Sequence, residues 1–158
     1  MTRPTSGYLA VMPSVSRTVH TPAPVDTVQA YLRDFTNAEE WDAGTKTCTR
    51  IDDGPVRIGS QWTNVSVFRG RETTLTYTLE AEEPDRHLRI VGRNKTVTSE
   101  DDLTFASDDS GTTVTYQATF TFHGIAKLAT PFLVPALGGL ADDAEATLRD
   151  ALAKLPAR

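Results

Sequence analysis

Residues 111–124 read GTTVTYQATFTFHG and residues 125–155 read IAKLATPFLVPALGGLADDAEATLRDALAKL, and the change of period between them decides the fold. In the first stretch Val114, Tyr116, Ala118, Phe120 and Phe122 share one face, while Thr113, Thr115, Gln117, Thr119 and Thr121 share the other. Such alternation marks a strand with one buried and one wet face, because successive side chains leave a strand on opposite sides. After Gly124 the period becomes helical. Ile125, Leu128, Phe132, Leu133, Leu137, Leu140, Ala144, Leu148, Leu152 and Leu155 trace one stripe, long enough to lie across a whole sheet. Pro131 lacks an N–H and would clash with the carbonyl four residues earlier, so a break or kink is expected there. Gly138-Gly139 is a second soft point.

Upstream, from Thr45 to Phe122, Thr, Val, Ile, Tyr and Phe dominate, which predicts strands near 45–51, 60–68, 71–82, 87–93, 96–106 and 112–122. The breaks are Asp52-Asp53-Gly54-Pro55, Arg69-Gly70, Glu83-Pro84-Asp85, Arg93-Asn94 and Asp108-Asp109-Ser110-Gly111. Connections this short make neighbouring strands antiparallel. Alternation turns Leu75, Tyr77 and Leu79 inward on the 71–82 strand, with Arg71 and Thr73 on the same face. It does the same for Leu103 and Phe105 on the 96–106 strand, and extending that register brings in Ser99 and Asp101. The strand around Trp62 mixes its faces, Trp62, Asn64 and Phe68 against Val65 and Val67, and its inner side stays open.

Ahead of these strands, Ser14 to Thr21 alternates as a short strand that Pro22 and Pro24 end. Val25, Val28, Tyr31, Leu32 and Phe35 then recur at helical spacing over about 24–34, and a short helical turn follows at Asn37 to Trp41. Residues 1–13 have no period and read as a loose arm, in which Met12 offers a second possible start; residues 14–156 read as one domain. One strand, two short helices, six strands and one long final helix is an α+β order that fits poorly with alternating βαβ units, sandwiches or bundles.

The chain carries Val19-His20-Thr21-Pro22-Ala23-Pro24-Val25-Asp26-Thr27-Val28 leading to Tyr31-Leu32-Arg33-Asp34-Phe35, then Trp41 and Gly59-Ser60-Gln61-Trp62. It adds the turn and strand Gly111-Thr112-Thr113-Val114-Thr115-Tyr116, and His123-Gly124 opening the last helix. In these features it resembles the START-like, or helix-grip, superfamily (SRPBCC), and within it the polyketide cyclase/dehydrase and lipid-transport-like branch. The resemblance implies a helix-grip fold, a curved antiparallel sheet of about seven strands wrapped round the C-terminal helix. It also implies a cavity between sheet and helix for lipids, polyketides or other apolar ligands. A fold this widely used does not name a reaction.

Composition narrows the partners. A net charge of −5 and scattered Lys and Arg give no grip on nucleic acid, which needs clustered cations against phosphate. No basic patch favours a membrane surface, and the nearly uncharged run Leu128 to Ala141 is shorter than the ~20 residues a bilayer requires. The single Cys48 cannot form an internal disulfide, and the start lacks a secretory pattern, so a cytoplasmic setting is expected. His20, His87 and His123 lie far apart in no ligand spacing, so no metal is expected, and the absence of phosphate or dinucleotide motifs leaves no cofactor to expect.

Asp101 is the polar candidate with most chemical interest. A carboxylate on an inner sheet face must be hydrated, paired or shifted toward its neutral form. Arg71 is its candidate partner, unless a one-residue bulge turns either side chain outward. Tyr77 and Tyr116 could bind a ligand oxygen or close onto backbone carbonyls. The expected ligand-binding set is Trp41, Val65, Val67, Tyr77, Leu79, Ile90, Ser99, Tyr116, Phe120, Leu128 and Phe132. Three readings stay open: a carrier or sensor of a small hydrophobic molecule, an acid–base cyclase or dehydratase, and an interaction module with a filled interior. Edge strands allow either a monomer or a homodimer.

Overall fold

In the computed structural model, which describes residues 12–157, the chain opens with β1 (Ser14–Thr21), α1 (Val25–Arg33), a 3₁₀ turn (Phe35–Asn37) and α2 (Ala38–Trp41). Six strands follow: β2 (Thr45–Arg50), β3 (Gln61–Phe68), β4 (Arg71–Glu83), β5 (His87–Arg93), β6 (Val97–Asp108) and β7 (Gly111–Phe122). A 3₁₀ segment (Gly124–Ala129) then leads into α3 (Thr130–Ala153). All strand pairs are antiparallel, in the order β1-β7-β6-β5-β4-β3-β2. The expected arm falls largely on residues 1–11, outside the described residues; Pro13 is already tethered, its carbonyl accepting from the Phe120 N–H at 2.9 Å.

The inner sheet face follows the alternation of the sequence. Leu75, Tyr77, Leu79, Leu88, Ile90, Leu103, Phe105 and Val114 are buried there, joined by Leu32, Phe35 and Trp41 from the short helices. On β3 the inner set is Trp62 and Asn64, both buried, which leaves Val65 on the opposite face as a correction to its expected place in the site. Phe35 ties the layers together. Its ring lies 4.5 Å from that of Tyr77 and meets Trp41 and Trp62 edge-on. Tyr77 pairs across the ladder with Gly92 on β5, and a Cβ at Gly92 would fall 2.5 Å from the Tyr77 ring. The missing side chain is the seat of the ring.

The outer face is wet and charged. Arg93 meets Glu80 at 2.5 Å and His87 meets Asp102 at 2.8 Å. Arg89 joins them through Glu100.

The helix divides into two unlike parts. Its C-terminal half packs on α2 and β1, with Ala144, Leu148, Ala151 and Leu152 buried. The hydroxyl of Thr147 donates to the Trp41 carbonyl at 2.7 Å, and that of Thr21 donates to the Leu152 carbonyl at 3.1 Å. The break expected at Pro131 falls just before it: Pro131 occupies the first turn of α3, where a missing N–H costs nothing. Pro135 is the proline inside the helix.

Leu128 and Phe132 correct the expected ligand set most sharply. They are 76% and 74% exposed, and Ile125 is 86% exposed. Residues 124–129 wind at three residues per turn, so a 3.6-residue period carried back from α3 loses its phase there. Leu128→Ala and Phe132→Ala are therefore expected to shift stability by less than about 0.5 kcal/mol in urea unfolding, as exposed substitutions do. A loss of several kcal/mol from either would place that side chain in the core. Gly124–Ala153 is by length and composition apolar enough to cross a bilayer, which the shorter run 128–141 did not suggest. Here its C-terminal half forms part of the core.

Candidate functional site

Between α3 and the sheet lies a cavity of about 170 Å³. Its roof is Leu133, Leu137, Leu140, Ala141 and Ala144, the true inner stripe of α3. The floor is Leu75 and Tyr77 of β4, Ser99 and Asp101 of β6, and Tyr116, Ala118, Phe120 and Phe122 of β7. These floor positions are adjacent because β4, β5, β6 and β7 are neighbours and the pleat aims every second residue inward. A shallower groove shares Gly44, Val67, Phe68 and Leu140 with the cavity and marks its mouth. Pockets for small ligands are built this way, largely apolar with few polar groups.

The polar groups gather around Asp101. It is 3% exposed, and its Oδ1 accepts the Tyr116 hydroxyl at 2.9 Å. Burial pushes its carboxyl up to about 7, against the lowering effect of the Tyr116 bond, and the nearby Asp42 raises it further. Burial first and the Asp101 charge second hold both Tyr77 and Tyr116 well above the usual phenol range. The Tyr116 ring in turn meets Trp41 edge-on at 5.8 Å.

A second carboxylate, Asp42, also lines the cavity. It follows α2 directly, and its Oδ1 accepts from the Gly44 N–H at 3.1 Å while Oδ2 accepts from Thr45 Oγ1 at 2.7 Å. The chain of bonds continues inward. Asn64 Nδ2 donates to Thr45 Oγ1 at 2.9 Å, and Ser66 Oγ donates to Asn64 Oδ1 at 2.6 Å. Burial raises the Asp42 carboxyl above its ordinary value in spite of these bonds.

Of the expected residues, Tyr77, Ser99, Tyr116, Phe120 and Asp101 line one cavity together, with Val67 at the mouth. Leu79 and Ile90 are fully buried in the core beside it and do not line it, and Trp41 stands behind the Tyr116 ring. Arg71 is exposed at the start of β4, and Asp101 takes its hydrogen bond from Tyr116 instead. The long strand carries Arg71 on the inner register but past the end of the cavity. Asp42, Asn64 and Ser66 escaped sequence reading. Asp42 lies in a turn outside any period, though Asp-Ala-Gly directly before a strand is the composition of a side-chain-closed turn.

Cys48 is buried, and burial pushes its thiol up to about 12, so it is no nucleophile.

The fold has counterparts among solved structures. The Zhui aromatase/cyclase from a Streptomyces species superposes with a TM-score of 0.70 at 15% identity, covering 90% of this chain and 92% of that one. A START superfamily protein from Mycobacterium smegmatis gives 0.68 at 16% identity, over 88% of this chain and 96% of that one. The di-domain ARO/CYC BexL gives 0.66 at 14% identity, with 93% of this chain covering 52% of that one. At such identities the likeness shows the fold alone. No curated protein sequence matches the chain. Residues 12–158 match the family described as polyketide cyclase / dehydrase and lipid transport, nearly the whole length, and the protein belongs to that family.

Proposed function

We propose that the protein is a soluble cytoplasmic carrier or sensor that encloses a small, mostly apolar molecule between α3 and the sheet. The observation that carries this reading is the cavity itself, apolar along its roof and most of its floor, with its polar groups gathered around Asp101. Cavities of about 150 Å³ lined by apolar side chains accept one aromatic ring. Burial at about 25 cal/mol per Å² of apolar surface would supply most of the affinity. Native mass spectrometry of the purified protein, with an organic extract of the same sample, tests it. A reproducible bound small molecule, or stoichiometric binding of an apolar fluorescent probe that Leu137→Trp weakens at least about tenfold, is expected. A clean apo mass with no probe binding favours the interaction-module reading instead.

Asp101 supports a second reading, a cyclase or dehydratase. A carboxyl poised near neutral pH is matched to proton transfer, and the Tyr116 hydroxyl beside it could orient a ligand carbonyl. In that case Asp101→Asn abolishes turnover of a carbonyl substrate while probe binding survives.

A further inference from the structure

The charge around the cavity is one-sided. Among the described residues that line it, the ionisable groups are Asp42, Asp101 and the phenols Tyr77 and Tyr116, with no Lys, Arg or His. The cations nearest in the fold are engaged or remote. Arg17, on the inner register of β1, is held by Asp142 at 2.7 Å and by Glu145 at 3.5 Å, both on α3. Arg71 is exposed at the start of β4, and Arg69 lines only the outer groove, as does Asp143.

A second observation is independent of that count. Asp101 is almost fully buried and lines the cavity, yet only its Oδ1 takes a hydrogen bond from a described residue. The other oxygen is not sealed in the core: among the described residues the buried side-chain polar atom left without a partner is Trp41 Nε1, so the second Asp101 oxygen opens on the cavity and can take a donor there. A ligand that brings both a donor and a positive charge suits that oxygen, and the aromatic side chains of Tyr116 and Phe120 line the same cavity. An anionic ligand would sit against two carboxyls and be repelled wherever either is ionised. Resting on the cavity reading above, we infer that this site selects apolar amines, with the protonated nitrogen on Asp101 and Asp42 and the hydrocarbon under α3.

The groups that face Asp101 set the pH behaviour. They are Tyr116 on β7, Tyr77 on β4, Asp42 after α2 and, on the outer side of its own strand, Asp102; α3 contributes only apolar side chains to the lining. Since burial holds Asp101 at about 7, an ammonium can pair with it only as its proton leaves. Affinity for an amine should therefore rise with pH up to about 7 and then level off, while affinity for a neutral analogue should not.

A matched set of one-ring probes tests this: 2-phenylethylamine, 2-phenylethanol and phenylacetate, each titrated calorimetrically into the full chain at pH 6 and pH 8. At pH 8 the amine is expected to bind at least about tenfold more tightly than the alcohol, as a charge-assisted bond would give, and phenylacetate more weakly than either. Asp101→Asn should remove that preference and its pH dependence while leaving alcohol binding in place, which also shows that the variant is folded. Asp42→Asn should lower the preference in part. Equal binding of amine and alcohol, or tighter binding of phenylacetate, overturns the inference and leaves the cavity reading standing. Failure of all three to bind overturns both.

Discussion

Asp101→Asn is expected to make the unliganded protein more stable at pH 8, by up to about 4 kcal/mol, with the gain shrinking toward pH 4. The folded protein holds the Asp101 proton up to about pH 7, while the unfolded chain releases it near the ordinary value of 3.8. Between those values the native state binds more protons than the unfolded state, so stability falls as pH rises, by about 1.4 kcal/mol per pH unit. Above pH 7 the penalty is complete and the curve flattens. Asparagine keeps an oxygen to accept the Tyr116 hydroxyl and never ionises, so it escapes the penalty. Urea unfolding of both proteins at pH 5 and pH 8 measures the effect. A variant less stable than its parent at pH 8 would show that the carboxylate is satisfied as it stands, and that the site carries no such cost. Residues that reduce stability in the free state are expected where a ligand later repays them.

Gly92→Ala should be destabilising by about 1–3 kcal/mol and should weaken apolar probe binding about tenfold. The sign is informative because strand propensity argues the other way: a glycine inside a strand is normally the weaker choice, and alanine there would ordinarily help. The Tyr77 ring reverses the balance. A Cβ at residue 92 would stand 2.5 Å from the ring, which Phe35 backs at a centroid distance of 4.5 Å. The ring must then slide, and Tyr77 is part of the cavity floor. Matched urea and probe titrations decide it; a variant with unchanged midpoint and unchanged affinity would mean the ring has room to spare.

The fold was legible in the sequence because two periods, one of two and one near 3.6, meet at His123-Gly124 and each persists long enough to be read. The same alternation placed Tyr77, Ser99, Asp101, Tyr116 and Phe120 on the inner face. It could not separate residues that line a void from those packed behind it, and so Leu79 and Ile90 were expected in the site although they are core. Their register is the same; only their depth along the sheet differs. Arg71 failed for a related reason, since sharing a face with Leu75 says nothing about lying beyond the cavity's end. Ile125 and Leu128 failed because a 3₁₀ segment changes the rotation per residue without any mark in composition, and Phe132 because it lies in α3 beside Leu133, which takes the inner stripe instead. Asp42, in an aperiodic turn, was invisible to a reading based on period, although it is one of the two carboxylates that define the cavity's charge.

The division of α3 separates two properties that a single helix usually shares. Its C-terminal half is anchored by Leu148, Leu152 and the Thr147 bond to Trp41, whereas around Gly138 and Gly139 a side chain would meet open space and the turns before them expose Leu128 and Phe132. The residues that anchor the helix most deeply, Ala144, Leu148, Ala151 and Leu152, all lie beyond those turns. On the carrier reading proposed above, how readily a ligand would pass the mouth and how firmly the domain resists unfolding fall to different residues of the same helix, so selection could adjust the traffic of one without eroding the endurance of the other.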